Sequence, residues 1–203
     1  MTDVTAGQEP EQELPQDDEE LVPKSAPADR PEVGPLDESE APVRPYVDLG
    51  GLRIVPRPGM QMRLEVEEKT KRIVAVTLEH DGSTVQLQPF AAPRSEGIWA
   101  PVRSVLRAQL ERQGAAVDEA EGLLGPELRA RLQSGPDGAP RAVRIIGVDG
   151  PRWMLQGLIG GRAAVDDDRA AAAIELFRST VVCRGSDPMP PRELIPLRAP
   201  KSA

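Results

Sequence analysis

Two short segments of this sequence combine tryptophan, arginine and carboxylate side chains within a few residues of one another. The first is PRSEGIW (93–99), which precedes a predicted helix, and the second is GVDGPRW (147–153), which contains a predicted tight turn. Tryptophan and arginine are the residues most enriched at the energetic centres of protein interfaces. We therefore predict a partner-binding site from both segments, composed of Arg94, Glu96, Trp99, Asp149, Arg152 and Trp153.

The same residues allow two other interpretations. In a structural interpretation the tryptophans fill the core, because the chain has only two tryptophans, one tyrosine and two phenylalanines. Arg94 would then pair with Glu96, and Arg152 would pair with Asp149. In a chemical interpretation Arg94, Asp149 and Arg152 converge in a closed pocket, and the protein is a small-molecule binder or an enzyme. A flat or convex surface at this place would favour a protein partner instead.

Residue types that commonly carry catalysis are scarce. The sequence has one histidine, His80, and one cysteine, Cys183, so we expect neither a His-based triad nor a multi-His metal site within one chain. We interpret Cys183 as a buried structural thiol. We interpret the aspartates 166–168 as a helix cap, because they lack the spacing of a calcium-binding loop. No complete phosphate-binding glycine motif is present. We expect no catalytic, cofactor-binding or metal site, which favours a protein that is not an enzyme.

Charge is divided unevenly along the chain. Residues 1–44 carry 13 acidic and three basic side chains, although the whole chain has a net charge of only −8. This segment is also rich in proline and poor in large apolar side chains, so it cannot bury enough surface to offset the entropy of ordering. We predict a disordered acidic tail over 1–44. The acidic tail and the nearly neutral remainder disfavour nucleic acid as a partner.

Other features of the sequence indicate the cellular location of the protein. No apolar run approaches the roughly 18 residues of a membrane span, and the N-terminus lacks the basic start and apolar stretch of a signal peptide. A single cysteine excludes a disulfide within the chain. We therefore predict a cytoplasmic protein with no membrane partner.

Hydrophobic periodicity predicts the secondary structure of the remaining chain. Residues 60–67 alternate between apolar and polar side chains, which indicates a strand with one buried face, and Asp81-Gly82 is a strong hairpin signal. Helical spacing follows Ser95, a predicted N-cap, and ends at Gly114. The other predicted elements are strands at 52–55, 73–79, 84–90, 115–121, 128–133, 143–148, 153–159 and 180–184, a turn at 135–138 and a helix after Asp166.

The predicted order is four strands, a helix, four strands, a helix and a last strand. Separate runs of strands with two helices indicate an α+β fold, in which both helices pack on a largely antiparallel sheet. We predict a single α+β domain over 45–187. The proline-rich segment 188–203 is predicted to lie extended on its surface.

Several segments carry a resemblance to a known family. They are GPLDESE (34–40), VDLG (47–50), QPFAAPRSEGIW (88–99), GVDGPRW (147–153), VCRGSDPM (182–189) and LIPL (194–197). Between about residues 34 and 200 the chain resembles the actinobacterial family called domain of unknown function 3710. That family is defined without an activity, so the resemblance implies none.

The order of strands and helices is more loosely similar to the PsbP-like α/β sandwich. Members of that architecture act mostly as binding and assembly factors, and this similarity is one of fold only. This similarity and the lack of recognisable catalytic residues lead us to predict a non-catalytic cytoplasmic protein-binding or assembly factor. The partner is predicted to be another protein.

Overall fold

The structure is a computed structural model that describes residues 21–133 and 138–200. Segments with alternating apolar side chains form a seven-stranded, wholly antiparallel sheet. A smaller four-stranded sheet lies beside it. The helices and strands, in chain order, are α1 (Arg30–Val33), β1 (Leu36–Asp37), β2 (Val47–Asp48), β3 (Leu52–Ile54), β4 (Gln61–Val66), β5 (Ile73–His80), β6 (Ser83–Ala91), α2 (Trp99–Arg112), β7 (Ala116–Gly122), β8 (Gly125–Leu132), β9 (Arg141–Asp149), β10 (Trp153–Gly161), a 3-10 helix (Arg162–Ala164), α3 (Asp167–Arg178) and β11 (Val181–Val182).

The large sheet consists of two meanders joined in the middle. Its strand order is β4-β5-β6-β10-β9-β8-β7, and the two meanders meet where β6 pairs with β10, with Gln88 opposite Gln156. The small sheet has the order β1-β11-β3-β2, and β1 runs parallel to β11. The predicted α+β class, with a largely antiparallel sheet and two packed helices, is confirmed.

The two long helices cover opposite faces of the large sheet. Helix α2 packs on β7, β8 and β9, while α3 packs on β6 and β10. Successive strand residues face opposite sides, so Ile146 belongs to the core under α3 and Ile145 to the core under α2. Within the described ranges, no helix combines the length and apolarity needed to cross a membrane.

Several local predictions can be compared with the structure. Asp81 and Gly82 form the predicted β5–β6 turn, with positive φ angles of 48° and 68°, as a type I′ turn requires. Asp166 caps α3 by accepting hydrogen bonds from the backbone N–H groups of Asp168 and Arg169 at 3.0 and 3.2 Å. The turn predicted at 135–138 lies largely outside the described residues.

The prediction of a disordered tail needs correction for residues 21–44, which lie against the domain. Arg30 is only 7% exposed and makes a bidentate ion pair with Glu40, with N–O distances of 2.7 and 2.8 Å. Leu36 is buried, and its N–H donates to the Thr180 carbonyl at 3.0 Å. The segment is ordered through backbone hydrogen bonds and one buried arginine, which its composition does not reveal. We call residues 21–46 the N-terminal arm; residues 1–20 lie outside the described part.

The proline-rich C-terminal segment runs across the strand ends as far as residue 200. It makes isolated bridges from Leu194 to Phe90 and from Leu197 to Gly50 and Ile73. The segment does not lie wholly on the surface, because Ile195 is 2% exposed and belongs to the core under α3.

Candidate functional site

The two tryptophan-containing segments meet at the side chain of Asp149. This residue ends β9, and its Oδ1 accepts hydrogen bonds from the backbone N–H groups of Ile98 at 3.0 Å and Trp99 at 3.2 Å. Ile98 is the N-cap of α2 and has no side-chain cap of its own. The predicted cap at Ser95 is therefore wrong, because a carboxylate from a distant strand satisfies these N–H groups instead.

A segment of the N-terminal arm lies in the groove between these two segments. We define the groove by residues 93–99, which lead into α2, and by residues 149–152 at the β9–β10 turn. The N–H of Gly97 donates to the Val22 carbonyl at 2.8 Å. Ser25 and Asp149 bind each other twice, from the Ser25 N–H to Oδ2 at 2.9 Å and from the Asp149 N–H to the Ser25 carbonyl at 2.8 Å. Two backbone–backbone hydrogen bonds and one from the Ser25 N–H to the Asp149 carboxylate therefore hold residues 22–25 in place.

The side chain of Lys24 occupies a site built from three backbone carbonyl groups. Its Nζ donates to Pro93 at 3.1 Å, to Pro151 at 3.0 Å and to Gly150. We call these three carbonyl groups the lysine site. Sequence reasoning missed residues 22–25, and the only signal was an apolar pair and a lysine that interrupt an acidic stretch.

The electrostatics of the groove are set by burial. Burial raises the pKa of Asp149 above its ordinary value, while its backbone hydrogen bonds and the charge of Lys24 act in the opposite direction. Burial also lowers the pKa of Lys24, and attraction to Asp149 opposes that shift. Both charged groups are thus partly removed from water. In this environment the charged form of each is stabilised by the opposite charge of the other.

Gly97 allows the arm to approach this closely. A Cβ at this position would lie 2.6 Å from Oδ2 of Asp149, 2.7 Å from the Pro23 carbonyl oxygen and 2.8 Å from Cα of Lys24. These distances are shorter than any real Cβ contact, and two of the three atoms belong to the arm backbone. A side chain at Gly97 would therefore push the arm out of the groove.

Both predicted tryptophans lie in the interior. Trp99 and Trp153 have no exposed surface, and their Nε1 atoms donate to the Pro126 carbonyl and to Oδ2 of Asp37, each at 2.9 Å. Trp99 covers Gly147, where a Cβ would lie 2.3 Å from its ring. The interpretation that the tryptophans fill the core is therefore the correct one for these two side chains. They are not available to a partner on the surface.

The charged residues of the predicted site do not form the expected pairs. Arg94 is exposed, and its side chain makes no hydrogen bond or ion pair with the part of the chain that the structure describes. Arg152 donates to the Gly185 carbonyl at 2.8 Å rather than to Asp149. Arg94 and Arg152 each follow a proline whose carbonyl binds Lys24, so their backbones lie side by side at the rim of the groove.

A second charged cluster borders a cleft of about 350 Å³ between β8, β9 and α3. Arg144 is 5% exposed and donates to Asp167 at 2.7 Å, while Glu127 is 2% exposed and accepts from Arg129 at 2.8 Å. Because these charges already have partners, they serve to tie the strands to the helix. Within 21–133 and 138–200, no three or more His, Cys, Asp or Glu side chains are placed to hold a metal ion.

Cys183 is half-buried beyond β11, and burial raises the pKa of its thiol to about 11. The thiolate is the reactive form, so we expect alkylation by iodoacetamide at about pH 7.5 to be on the order of a hundredfold slower in the native chain than in urea. Mass spectrometry of timed samples measures both rates. Equal rates would show that the thiol is ordinary and accessible.

Comparison with known proteins gives one family match. Residues 34–203 match the model of a family described as protein of unknown function (DUF3710). A search of the curated proteins found no match. The match includes the groove residues from α2 and from the β9–β10 turn, but it begins after the arm residues that lie in the groove.

Proposed function

The chain belongs to the family described as protein of unknown function (DUF3710), and on that premise we propose that it is a non-catalytic cytoplasmic protein that binds an extended segment of a partner protein in the groove. The observation that carries the proposal is the arm itself. Residues 22–25 lie in the groove as a linear segment, held by backbone hydrogen bonds and one anchored side chain.

The groove offers the donors and acceptors of a peptide-binding site. The N–H groups of Gly97 and Asp149, one carboxylate oxygen and three carbonyl groups all come from within the family match. Their arm partners come from residues 22–25, outside that match. Main-chain hydrogen bonds of this kind support affinity for extended segments, and a side-chain site supports specificity.

The arm would act as a competitor for such a partner. It is tethered to the domain, so it occupies the groove at an effective concentration on the order of millimolar. A partner segment must therefore bind tightly enough to replace the tethered arm, or another event must first remove the arm from the groove.

The interpretation as a small-molecule binder or an enzyme has less support. It requires Arg94, Asp149 and Arg152 to converge on a ligand in a closed pocket. Instead, the Asp149 carboxylate binds backbone N–H groups of Ser25, Ile98 and Trp99, and Arg152 binds a carbonyl group elsewhere.

A peptide added to the full chain tests this proposal. In the arm-weakened variant, Lys24→Ala removes the anchored ammonium and Ser25→Pro removes the N–H that donates to Asp149. We expect a fluorescent peptide of residues 21–29 to bind this variant at least about tenfold more tightly than the unaltered chain, as measured by fluorescence anisotropy.

Lys69→Ala is the matched control, because Lys69 is an exposed lysine far from the arm in sequence. It should bind the peptide as weakly as the unaltered chain. Failure of the peptide to bind the folded arm-weakened variant would contradict the proposed peptide-binding function.

A further inference from the structure

The number of carbonyl groups in the lysine site equals the number of donors on an ammonium group. A lysine ammonium has three N–H donors and no acceptor. In the structure Nζ of Lys24 donates to Pro93, Gly150 and Pro151, so each N–H has one carbonyl partner. The chemistry of the site is therefore that of a receptor for a primary ammonium ion.

The lysine site is held in place by the domain and not by the arm. The Gly150 N–H donates to the Trp153 carbonyl at 2.7 Å, and the Ala92 N–H donates to the Arg152 carbonyl at 3.0 Å. A Cβ at Gly150 would lie 2.2 Å from the buried Trp153 ring. These contacts fix the turn that carries two of the carbonyl groups, so the site needs little rearrangement to receive a ligand.

Asp149 supplies a negative charge close to the lysine site. Its carboxylate accepts from three backbone N–H groups, at Ser25, Ile98 and Trp99, and its charge attracts the ammonium of Lys24. A neutral side chain in the same position would lose this attraction. A side chain with fewer N–H groups would leave carbonyl oxygens without a donor, which costs free energy in a partly buried site.

We propose that the lysine site selects an unmodified lysine side chain from an extended partner segment, and that Lys24 takes this position in the free protein. The inference rests on the proposed peptide-binding function and adds the chemistry of its ligand. Acetyl-lysine has one N–H and no charge, and trimethyl-lysine has a charge but no N–H. Arginine presents its donors in a flat fork, which does not match three converging carbonyl groups.

A set of peptides measures this selectivity. Fluorescent peptides of residues 21–29 carry lysine, acetyl-lysine, trimethyl-lysine, arginine or norleucine at the position of Lys24, and each is titrated into the full-length arm-weakened variant. We expect the four replacements to bind about 10- to 100-fold more weakly than the lysine peptide, because acetyl-lysine, trimethyl-lysine and norleucine lose the charge, the N–H donors or both, and arginine presents its donors in a different geometry.

The possible outcomes separate the two proposals. If the lysine peptide binds and any of the four replacement peptides binds equally well, the groove binds peptides but does not select unmodified lysine. If no peptide binds the folded variant, the peptide-binding function itself is contradicted.

A second measurement uses the unaltered chain and needs no variant. Formaldehyde with a mild borohydride methylates accessible lysines, and Lys69 and Lys71 are exposed controls. We expect Lys24 to be methylated at least about tenfold more slowly than these two, because Nζ must leave its three carbonyl partners before it reacts, and this cost outweighs the lowering of its pKa by burial. Equal rates would overturn the inference, since an ammonium held by three carbonyl groups cannot react like a free one.

Discussion

Replacing Asp149 by alanine is expected to lower the free energy of unfolding by about 2–4 kcal/mol and to detach the arm from the groove. The Asp149 carboxylate satisfies the first N–H groups of α2, at Ile98 and Trp99, and loss of such a cap alone costs on the order of 1 kcal/mol. The additional cost arises because these N–H groups are buried and find no new partner. Urea unfolding of both chains, followed by circular dichroism, measures the difference.

Asp149→Asn separates the two roles of this carboxylate. The asparagine oxygen can still accept from α2, but its NH₂ group would face the N–H of Ser25. We expect most of the stability to remain while residues 22–25 lose their protection from amide hydrogen exchange. If Asp149→Ala unfolds at the same urea concentration as the unaltered chain, the carboxylate does not cap α2.

Gly147→Ala is expected to destabilise the domain by about 2–3 kcal/mol, because the added methyl group would overlap the Trp99 ring. The Cβ would lie 2.3 Å from two ring carbon atoms, and Nε1 of Trp99 is held by the Pro126 carbonyl at 2.9 Å. The ring therefore has little freedom to move aside.

A double-mutant cycle identifies this contact as the cause. Trp99→Ala alone should cost about 3–5 kcal/mol by leaving a cavity under α2. In that background Gly147→Ala should cost much less than it does in the unaltered chain, since the ring is no longer present. An equal cost in both backgrounds would mean that Gly147 is required for another reason, such as its backbone conformation.

The sequence predicts the sheet and the helices well because their signals are local. Alternation marks β4 to β6, and the Asp81-Gly82 turn fixes the pairing of β5 with β6. Asp166 is recognisable as a cap because it lies next to the helix that it caps. Each of these signals lies within a few residues of its effect.

The groove could be predicted only in part, because its contacts join distant positions. The cap of α2 comes from Asp149, 51 residues beyond Ile98, and nothing near α2 in the sequence indicates it. The two tryptophan-containing segments were recognised by composition, which cannot distinguish a buried ring from an exposed one. The arm was missed because backbone hydrogen bonds order it, and every residue type except proline can make these.

The measurement that tests the account most directly is an NMR titration of the full-length arm-weakened variant with the lysine peptide of residues 21–29. We predict that the amide signals of Gly97 and Asp149 shift and become protected from exchange, because both N–H groups donate to the arm segment in the structure. Signals of β4, at the far edge of the sheet, should not change. Peptide-induced shifts that spare Gly97 and Asp149 and cluster on another surface would contradict the account.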